Sequence, residues 1–287
     1  MTLDLSIKYR LLALAKSAVQ KAGIYIESKK DQAFNTSLKK ENNSLASQIV
    51  TEVDQQAQEI ILDILTPSMQ EFELGLLTEE SEDDESRFER DYFWCIDPLD
   101  GTLAFTKGEE GYAVSIALLS FTGDPVLSAV YLPYDQTLYS AIERKGLFVN
   151  EQPYQPKIEA DPYFHLYVDH PKGVARNFEA FKMALEKWVA EELGLSVCYH
   201  EGKGAVCNAI GVLQSKQGAF IKLPKATTGG GSIWDFAATR LFFEEAGKYV
   251  ANASGQSLHL NSASTYMHDQ GVVFSTTASI QLLVKLF

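Results

Sequence analysis

The chain has 287 residues, of which 46% are hydrophobic, 11% aromatic and 22% charged, and its mean hydropathy is −0.10. This globular composition excludes wholesale disorder, collagen-like repeats and low-complexity architectures, and the length excludes a single small module. With 25 basic and 38 acidic residues the net charge is −13. No broad footprint for a nucleic acid polymer or an anionic membrane is expected, and an anionic substrate would need local positive charge, most simply metal ions.

Cys95, Cys198 and Cys207 are scattered and lack Cys-x-x-Cys spacing. The sequence therefore encodes neither a disulfide framework nor a zinc site, and the compartment reads as reducing. Lys8, Arg10 and Lys16 interrupt the N-terminal segment, which lacks the apolar stretch and cleavage site of a signal peptide. No apolar run is long enough to span a membrane, so the expectation is a soluble cytoplasmic protein.

Leu5, Tyr9, Leu12, Ala15, Val19 and Ala22 recur at helical spacing and predict a long amphipathic helix from Leu3 to about Ile26. Lys29 to Ser47 reads as a polar loop. Thr51, with Asp54 three residues on, reads as the cap of a second helix, Val53 to Leu65, which Pro67 stops; Asp54 then sits in a first helical turn. Leu74 to Leu77 suits a buried strand running into Thr78-Glu79-Glu80. The acidic tract that follows includes Glu82, Asp83, Asp84 and Glu85, which read as a solvated loop. Tyr92 to Ile96 is a second buried strand ending in Asp97-Pro-Leu-Asp100-Gly-Thr102, so two strands terminate in carboxylates. Further strands at Val114 to Leu119, Val126 to Leu132, Leu138 to Ile142 and Leu147 to Val149 suggest an antiparallel meander flanked by helices.

Asn150 to Pro162, with its three prolines, is the candidate boundary between an N-terminal half, 1–150, and a C-terminal half, 151–287. Beyond it strands and helices alternate in the α/β manner. Strands fall at Leu166 to Val168, Leu195 to Tyr199, Ala219 to Leu223, near Tyr249 and at Gly271 to Phe274. Helices fall at Asn177 to Leu193, Trp234 to Ala246 and from about Ala278, with an apolar segment at Ala205 to Leu213.

The segment Asp97 to Thr102 carries the most chemical information. Pro98 and Gly101 force a turn at the end of a buried strand, so both carboxylates can converge with the Leu99 carbonyl. Such hard oxygen donors suit Mg²⁺ or Mn²⁺ rather than zinc. Gly101 would let a phosphate approach the backbone, helped by a helix starting there. By itself this pattern also suits a solvated Asx-type turn, Trp234-Asp235 a helix-dipole partner, and Asp54 a cap. Glu79 differs from the acids after it because it abuts the apolar run directly.

Leu77-Thr-Glu-Glu-Ser81, Trp94-Cys-Ile-Asp-Pro-Leu-Asp-Gly-Thr102 and Trp234-Asp-Phe-Ala-Ala238 together resemble the three signatures of the inositol monophosphatase family. That family includes 3′(2′),5′-bisphosphate nucleotidases of the CysQ type and relatives of fructose-1,6-bisphosphatase. The resemblance implies an α/β fold, a layered α-β-α-β-α sandwich of the sugar-phosphatase type with two sheets and flanking helices. It implies metal carboxylates Glu79, Asp97, Asp100 and Asp235, with the Leu99 carbonyl completing one site for two or three Mg²⁺ ions, Mn²⁺ substituting. Thr102 would hold an attacking water with its hydroxyl polarised by Asp54, Glu79 would share in catalysis, and Gly101, Thr102 and Asp235 would meet the substrate. Many members are homodimers. The expected activity is Mg²⁺-dependent hydrolysis of a small phosphorylated metabolite, inositol monophosphate or similar. A CysQ-type bisphosphate nucleotidase is the alternative, and a catalytically silent phosphate- or metal-binding protein the remote one.

The chain also departs from the family pattern. Lys39 to Ser47 replaces the family's lysine-serine-proline loop, Thr239 replaces the glycine after two alanines, and Gly202-Lys203-Gly204-Ala205 alters the expected substrate wall. Lys222 to Ser232 contains no acid where inositol-specific members commonly carry a glutamate.

Overall fold

Leu11, Ala15, Ala18, Val19, Ala22 and Ile26 are fully buried at helical spacing, which is why the N-terminal segment winds into α1 (Leu5–Leu38). The computed structural model describes residues 3–38, 43–168 and 177–287. The expected loop from Lys29 to Ser47 is helical on both sides, because α1 runs to Leu38 and α2 spans Asn43–Phe72. Lys39 and Lys40 lie outside the described residues.

Thr51 and Asp54 are therefore internal to α2 rather than at its start, and Pro67 does not stop it. Proline removes one helical hydrogen bond and crowds the preceding turn. Here the apolar face continues across it through Ile61, Leu65 and Phe72, all buried. The hydroxyls of Thr66 and Ser68 also donate to the carbonyls of Leu62 and Leu65, both at 2.6 Å. Burial of a continuous stripe outweighs the local penalty.

The first sheet contains β1 (Gly75–Thr78), β2 (Tyr92–Asp100), β3 (Ala113–Ser120), β4 (Pro125–Leu132), β5 (Thr137–Ile142), β6 (Leu147–Val149) and β7 (Gln152–Pro153), in that spatial order. From β2 onward it is the expected antiparallel meander, but β1 runs parallel to β2. The connection between them is not a solvated loop throughout. Asp83 pairs with the fully buried Arg87 at 2.8 Å, and Asp84 accepts from the Ser86 amide. Arg87 Nη1 in turn donates to Asn261 Oδ1 and to the Ser262 carbonyl. A buried guanidinium needs such partners, and only the tertiary fold supplies them.

Both faces of this sheet are covered, so β4 is buried along its whole length. α1 and α2 lie on one side; α6 (Ile233–Glu245) packs on the other, alongside α5 (Ala205–Gln214). A second sheet follows, made of β8 (Tyr163–Tyr167), β9 (Ser196–His200), β10 (Gly218–Lys222), β11 (Tyr249–Ala251) and β12 (Val272–Ser275). Its order is β11-β12-β10-β8-β9. β8 pairs parallel with both β9 and β10, and β12 pairs antiparallel with β10 and β11.

Phe220 and Phe274 face the α5 and α6 layer, whereas Phe164, Leu166 and Ile221 face α4 (Phe178–Trp188) and α7 (Ile280–Val284). The expected helix Asn177 to Leu193 divides into α4 and a π-helical turn, Val189–Leu193, closed by Gly194 at φ 65. The layers thus read helix, sheet, helix, sheet, helix, as expected.

Candidate active site

Two features of the first sheet bring the acids together. Because β1 and β2 are parallel, with Thr78 opposite Ile96, their C-terminal ends adjoin, and Glu79 follows β1 directly beside Asp97. The second feature is a β-bulge. Asp97 pairs with Ser115 and Asp100 with Ala113, so three steps along β2 match two along β3. In a regular strand residues three apart point to opposite faces; the extra residue returns Asp97 and Asp100 to the same side. Pro98 sits within the bulge, where a strand tolerates a residue that donates no hydrogen bond. The turn anticipated at this segment is thus a bulged continuation of β2.

Gly101 then takes φ 84 and opens α3 (Thr102–Lys107). A Cβ at Gly101 would lie 2.3 Å from the Gly111 carbonyl oxygen, so close backbone packing requires glycine here. The Thr102 hydroxyl donates to the Leu99 carbonyl at 3.2 Å. The Leu99 amide donates to Asp97 Oδ1 at 3.1 Å.

Asp235 arrives from the layer between the sheets. It stands in the first turn of α6, where Oδ2 accepts from the Ser232 amide at 2.6 Å in a capping box. Single carboxylate oxygens of Asp97, Asp100 and Asp235 lie within 4.8 Å of one another. The helix-cap reading of Asp235 and its membership of an acid cluster both hold.

Like charges this close, out of water, disfavour ionisation. Burial first, then Glu79, Asp100 and Asp235, push Asp97 well above the usual carboxylate range. Burial and Asp235 raise Asp100, opposed by the backbone amides of Val206 and Ala205 and by the Lys222 ammonium. Burial and Asp235 lift Glu79 to about 7. Asp54, on the buried side of α2, rises to about 8 through burial, Glu80 and Glu79.

The donor set fits a hard divalent cation. No donor reaches the buried Asp97 Oδ2 among the described residues, and carboxylates with a backbone carbonyl match the oxygen preference of Mg²⁺. Asp54 is not hydrogen-bonded to Thr102, whose hydroxyl is turned to Leu99. The electrostatic neighbours of Asp54 are Glu79 and Glu80.

A model of the inositol monophosphatase family matches residues 8–286. The chain belongs to the inositol monophosphatase family. It is thereby a phosphatase of the metal-dependent phosphoric monoester hydrolase class. Over 290 residues it is 26% identical to a Nus factor SuhB of Vibrio cholerae, spanning 96% of this chain and 94% of that protein. Over 213 residues it is 29% identical to an inositol-1-monophosphatase of Synechocystis, spanning 72% of this chain and 67% of that protein. Its fold matches that of CysQ from Bacteroides thetaiotaomicron, a bacterial member of the inositol monophosphatase family. That match has a TM-score of 0.76 at 23% identity and covers 96% of this chain and 100% of that one.

One contributor to this phosphatase site escapes sequence reasoning. Asp100 accepts from the amides of Ala205 and Val206, both at 2.9 Å, so it caps α5 from the other half of the chain. Gly204 makes this approach possible, since a Cβ there would lie 2.2 Å from Asp100 Oδ2. The glycine before an apolar segment was the available signal, though nothing local names its partner. Lys222, at the end of β10 and one of the lysines that the sequence offers for a second phosphate, also acts here: its charge favours the ionised form of Asp100, and its Nζ donates to the Gly230 carbonyl at 2.7 Å.

Proposed function

We propose that this protein hydrolyses the phosphate monoester of a small polyol, inositol monophosphate or a similar compound, with Mg²⁺ as the metal. The observation that carries the reading is the convergence of Asp97, Asp100 and Asp235 within 4.8 Å; Glu79, whose charge acts on Asp97, and the Leu99 carbonyl would join them. Those five groups would hold the ions. When bound, Mg²⁺ supplies positive charge for the phosphoryl and leaving oxygens and acidifies water.

The remaining work falls to the chain itself. Thr102 and Asp54 orient the attacking water and take its proton; burial, Glu80 and Glu79 raise Asp54 to about 8 in the metal-free site, and a cation held by Glu79 would favour the ionised carboxylate that accepts the proton. Gly101, where α3 begins, would meet a phosphate oxygen through its backbone. Asp235 fixes the start of α6 and faces both the ions and the substrate. A homodimer and a cytoplasmic location belong to the same proposal.

A second reading, a bisphosphate nucleotide as substrate, is favoured by one observation. Lys222 stands close enough to Asp100 to shift its ionisation, and the segment from Lys222 to Ser232 carries no acid that would repel a second phosphate.

Phosphate release from inositol monophosphates, 3′-phosphoadenosine 5′-phosphate, fructose 1,6-bisphosphate and simple sugar phosphates tests both readings. Preference for inositol monophosphates supports the first and preference for the bisphosphate nucleotide the second. Undiminished turnover in excess chelator, or none on any substrate with Mg²⁺, overturns the proposal.

A further inference from the structure

The second sheet carries a cluster of candidate ligands separate from the three aspartates of the phosphatase site. β8 and β9 pair in parallel with His165 opposite Cys198 and Tyr167 opposite His200. Side chains two apart on a strand share a face, so His165, Cys198 and His200 project together. Their donor atoms all lie within 4.8 Å of one another, and all three residues are half-buried.

The imidazoles are already ordered as ligands would be. His165 Nε2 lies 3.0 Å from Asp161 Oδ2, and His165 Nδ1 lies 2.8 Å from His200 Nε2. Asp161, itself held by Lys157 at 3.4 Å, accepts a hydrogen bond from Nε2–H, which leaves Nδ1 with a lone pair. That is the carboxylate–histidine arrangement that fixes the tautomer and raises the basicity of a metal-bound histidine. The His200 ring stacks on Tyr167 at 4.5 Å. Burial, followed by His165 and Lys203, lowers the pKa of His200, which favours the neutral imidazole that a metal needs.

We infer that His165, Cys198 and His200 form a second metal site, distinct from the acid cluster and specific for a borderline-soft divalent cation, Zn²⁺. Two imidazole nitrogens and a thiolate suit zinc and are poor ligands for Mg²⁺. A tetrahedral ion needs donor separations of about 3.3 Å or slightly more. The His165–His200 pair therefore opens by about half an ångström, exchanging a hydrogen bond for two metal bonds. The balance is simple: Cys198 releases its thiol proton to solvent, the His200 proton moves from Nε2 to Nδ1, and nothing is oxidised. None of the three residues is fully buried, so the fourth position is left to water or a small ligand. The absence of paired cysteines had argued against a zinc site; the fold instead pairs one cysteine with histidines on the neighbouring strand.

Co²⁺ titration of the full chain in excess Mg²⁺ tests the inference. Thiolate ligation gives a charge-transfer band in the near ultraviolet that an all-oxygen site cannot produce. The expected result is such a band at one equivalent, abolished by Zn²⁺, missing in Cys198→Ser and retained in Asp97→Asn. His165→Ala and His200→Ala should weaken binding at least about tenfold, and Asp161→Asn by about 10–100-fold. Cys198→Ser should keep its phosphatase activity and circular dichroism. No band in the wild-type protein, or a band that survives in Cys198→Ser, overturns the site.

Discussion

Asp100 Oδ1 lies 2.9 Å from the amide nitrogen of Ala205, so the carboxylate at the end of the first sheet is clamped to the start of a helix that packs on the second. With Val206 donating to the other oxygen at 2.9 Å, Asp100 has little freedom to swing. A metal ligand fixed this way needs no reordering when an ion binds.

Gly204→Ala tests the clamp. The backbone at Gly204, φ −63 and ψ 165, accommodates alanine, so the only penalty is the new Cβ at 2.2 Å from Asp100 Oδ2. Overpacking of this kind costs about 1–3 kcal/mol, a fall in Tm of roughly 2–5 °C for a chain of this size. Displacing Asp100 should also weaken Mg²⁺, read as a rise in the Mg²⁺ concentration for half-maximal activity. Unchanged Tm and Mg²⁺ dependence would show that the clamp is loose.

Asp97→Asn and Asp235→Asn should each lower kcat by at least about a hundredfold, because each removes charge that holds a cation at the transition state. The metal-free variants should be no less stable than the wild type, since each relieves repulsion among Glu79, Asp97, Asp100 and Asp235. In Asp235→Asn the amide side chain keeps an oxygen for the Ser232 amide, so α6 retains its cap. Near wild-type turnover in either variant removes that residue from the ligand set; a lower metal-free Tm contradicts the repulsion argument.

These carboxylates were legible in the sequence because two apolar runs, Leu74 to Leu77 and Tyr92 to Ile96, end abruptly in acids. Local patterning stops there. It names the residues at a strand end, not the pleat, so the bulge that turns Asp97 and Asp100 to one side is visible only in the pairing of β2 with β3. Pro67 is a local signal for a helix end, but the stripe through Val53, Ile61 and Phe72 carries α2 across it once a sheet is there to cover that face; Thr51, the expected cap, lies inside the same helix. Asp83 looked solvated because its partner, Arg87, is buried by Asn261 and Ser262 from the far end of the chain. The link from Asp100 to Ala205 has the same origin.

The pH dependence of stability follows from the raised pKa values. An acid with a raised folded-state pKa binds its proton more tightly folded than unfolded, so stability falls as pH rises between the two values. For Asp54 that window runs from 3.8 to about 8, and for Glu79 from 4.5 to about 7. In chelator, Tm should fall steadily from pH 5 to pH 8. Mg²⁺ should restore it at pH 8 and do little at pH 5, where protons already neutralise the cluster. A chelated Tm that is flat or rises over this range contradicts the repulsion argument.

The last prediction concerns Thr102 and Asp54. Asp54 lies inside α2, so capping no longer explains it, and its burial beside Glu79 and Glu80 leaves a role in proton transfer as the reading to test. Thr102 has a rival explanation in the structure, since its hydroxyl supports the Leu99 carbonyl. If the two residues act as one relay on the attacking water, Thr102→Ala and Asp54→Asn should each reduce kcat by about 10²–10⁴. The double variant should then be little worse than either single, because one broken relay cannot be broken twice. Thr102→Ser, which keeps the hydroxyl, should retain most of the activity. If Thr102 only steadies Leu99, Thr102→Ala should instead raise the Mg²⁺ requirement with kcat largely intact at saturating metal, and its effect should add to that of Asp54→Asn. Measuring kcat and Mg²⁺ affinity across the four variants separates the two. Additive losses would dissolve the relay and leave Thr102 a positioning residue for the Leu99 carbonyl.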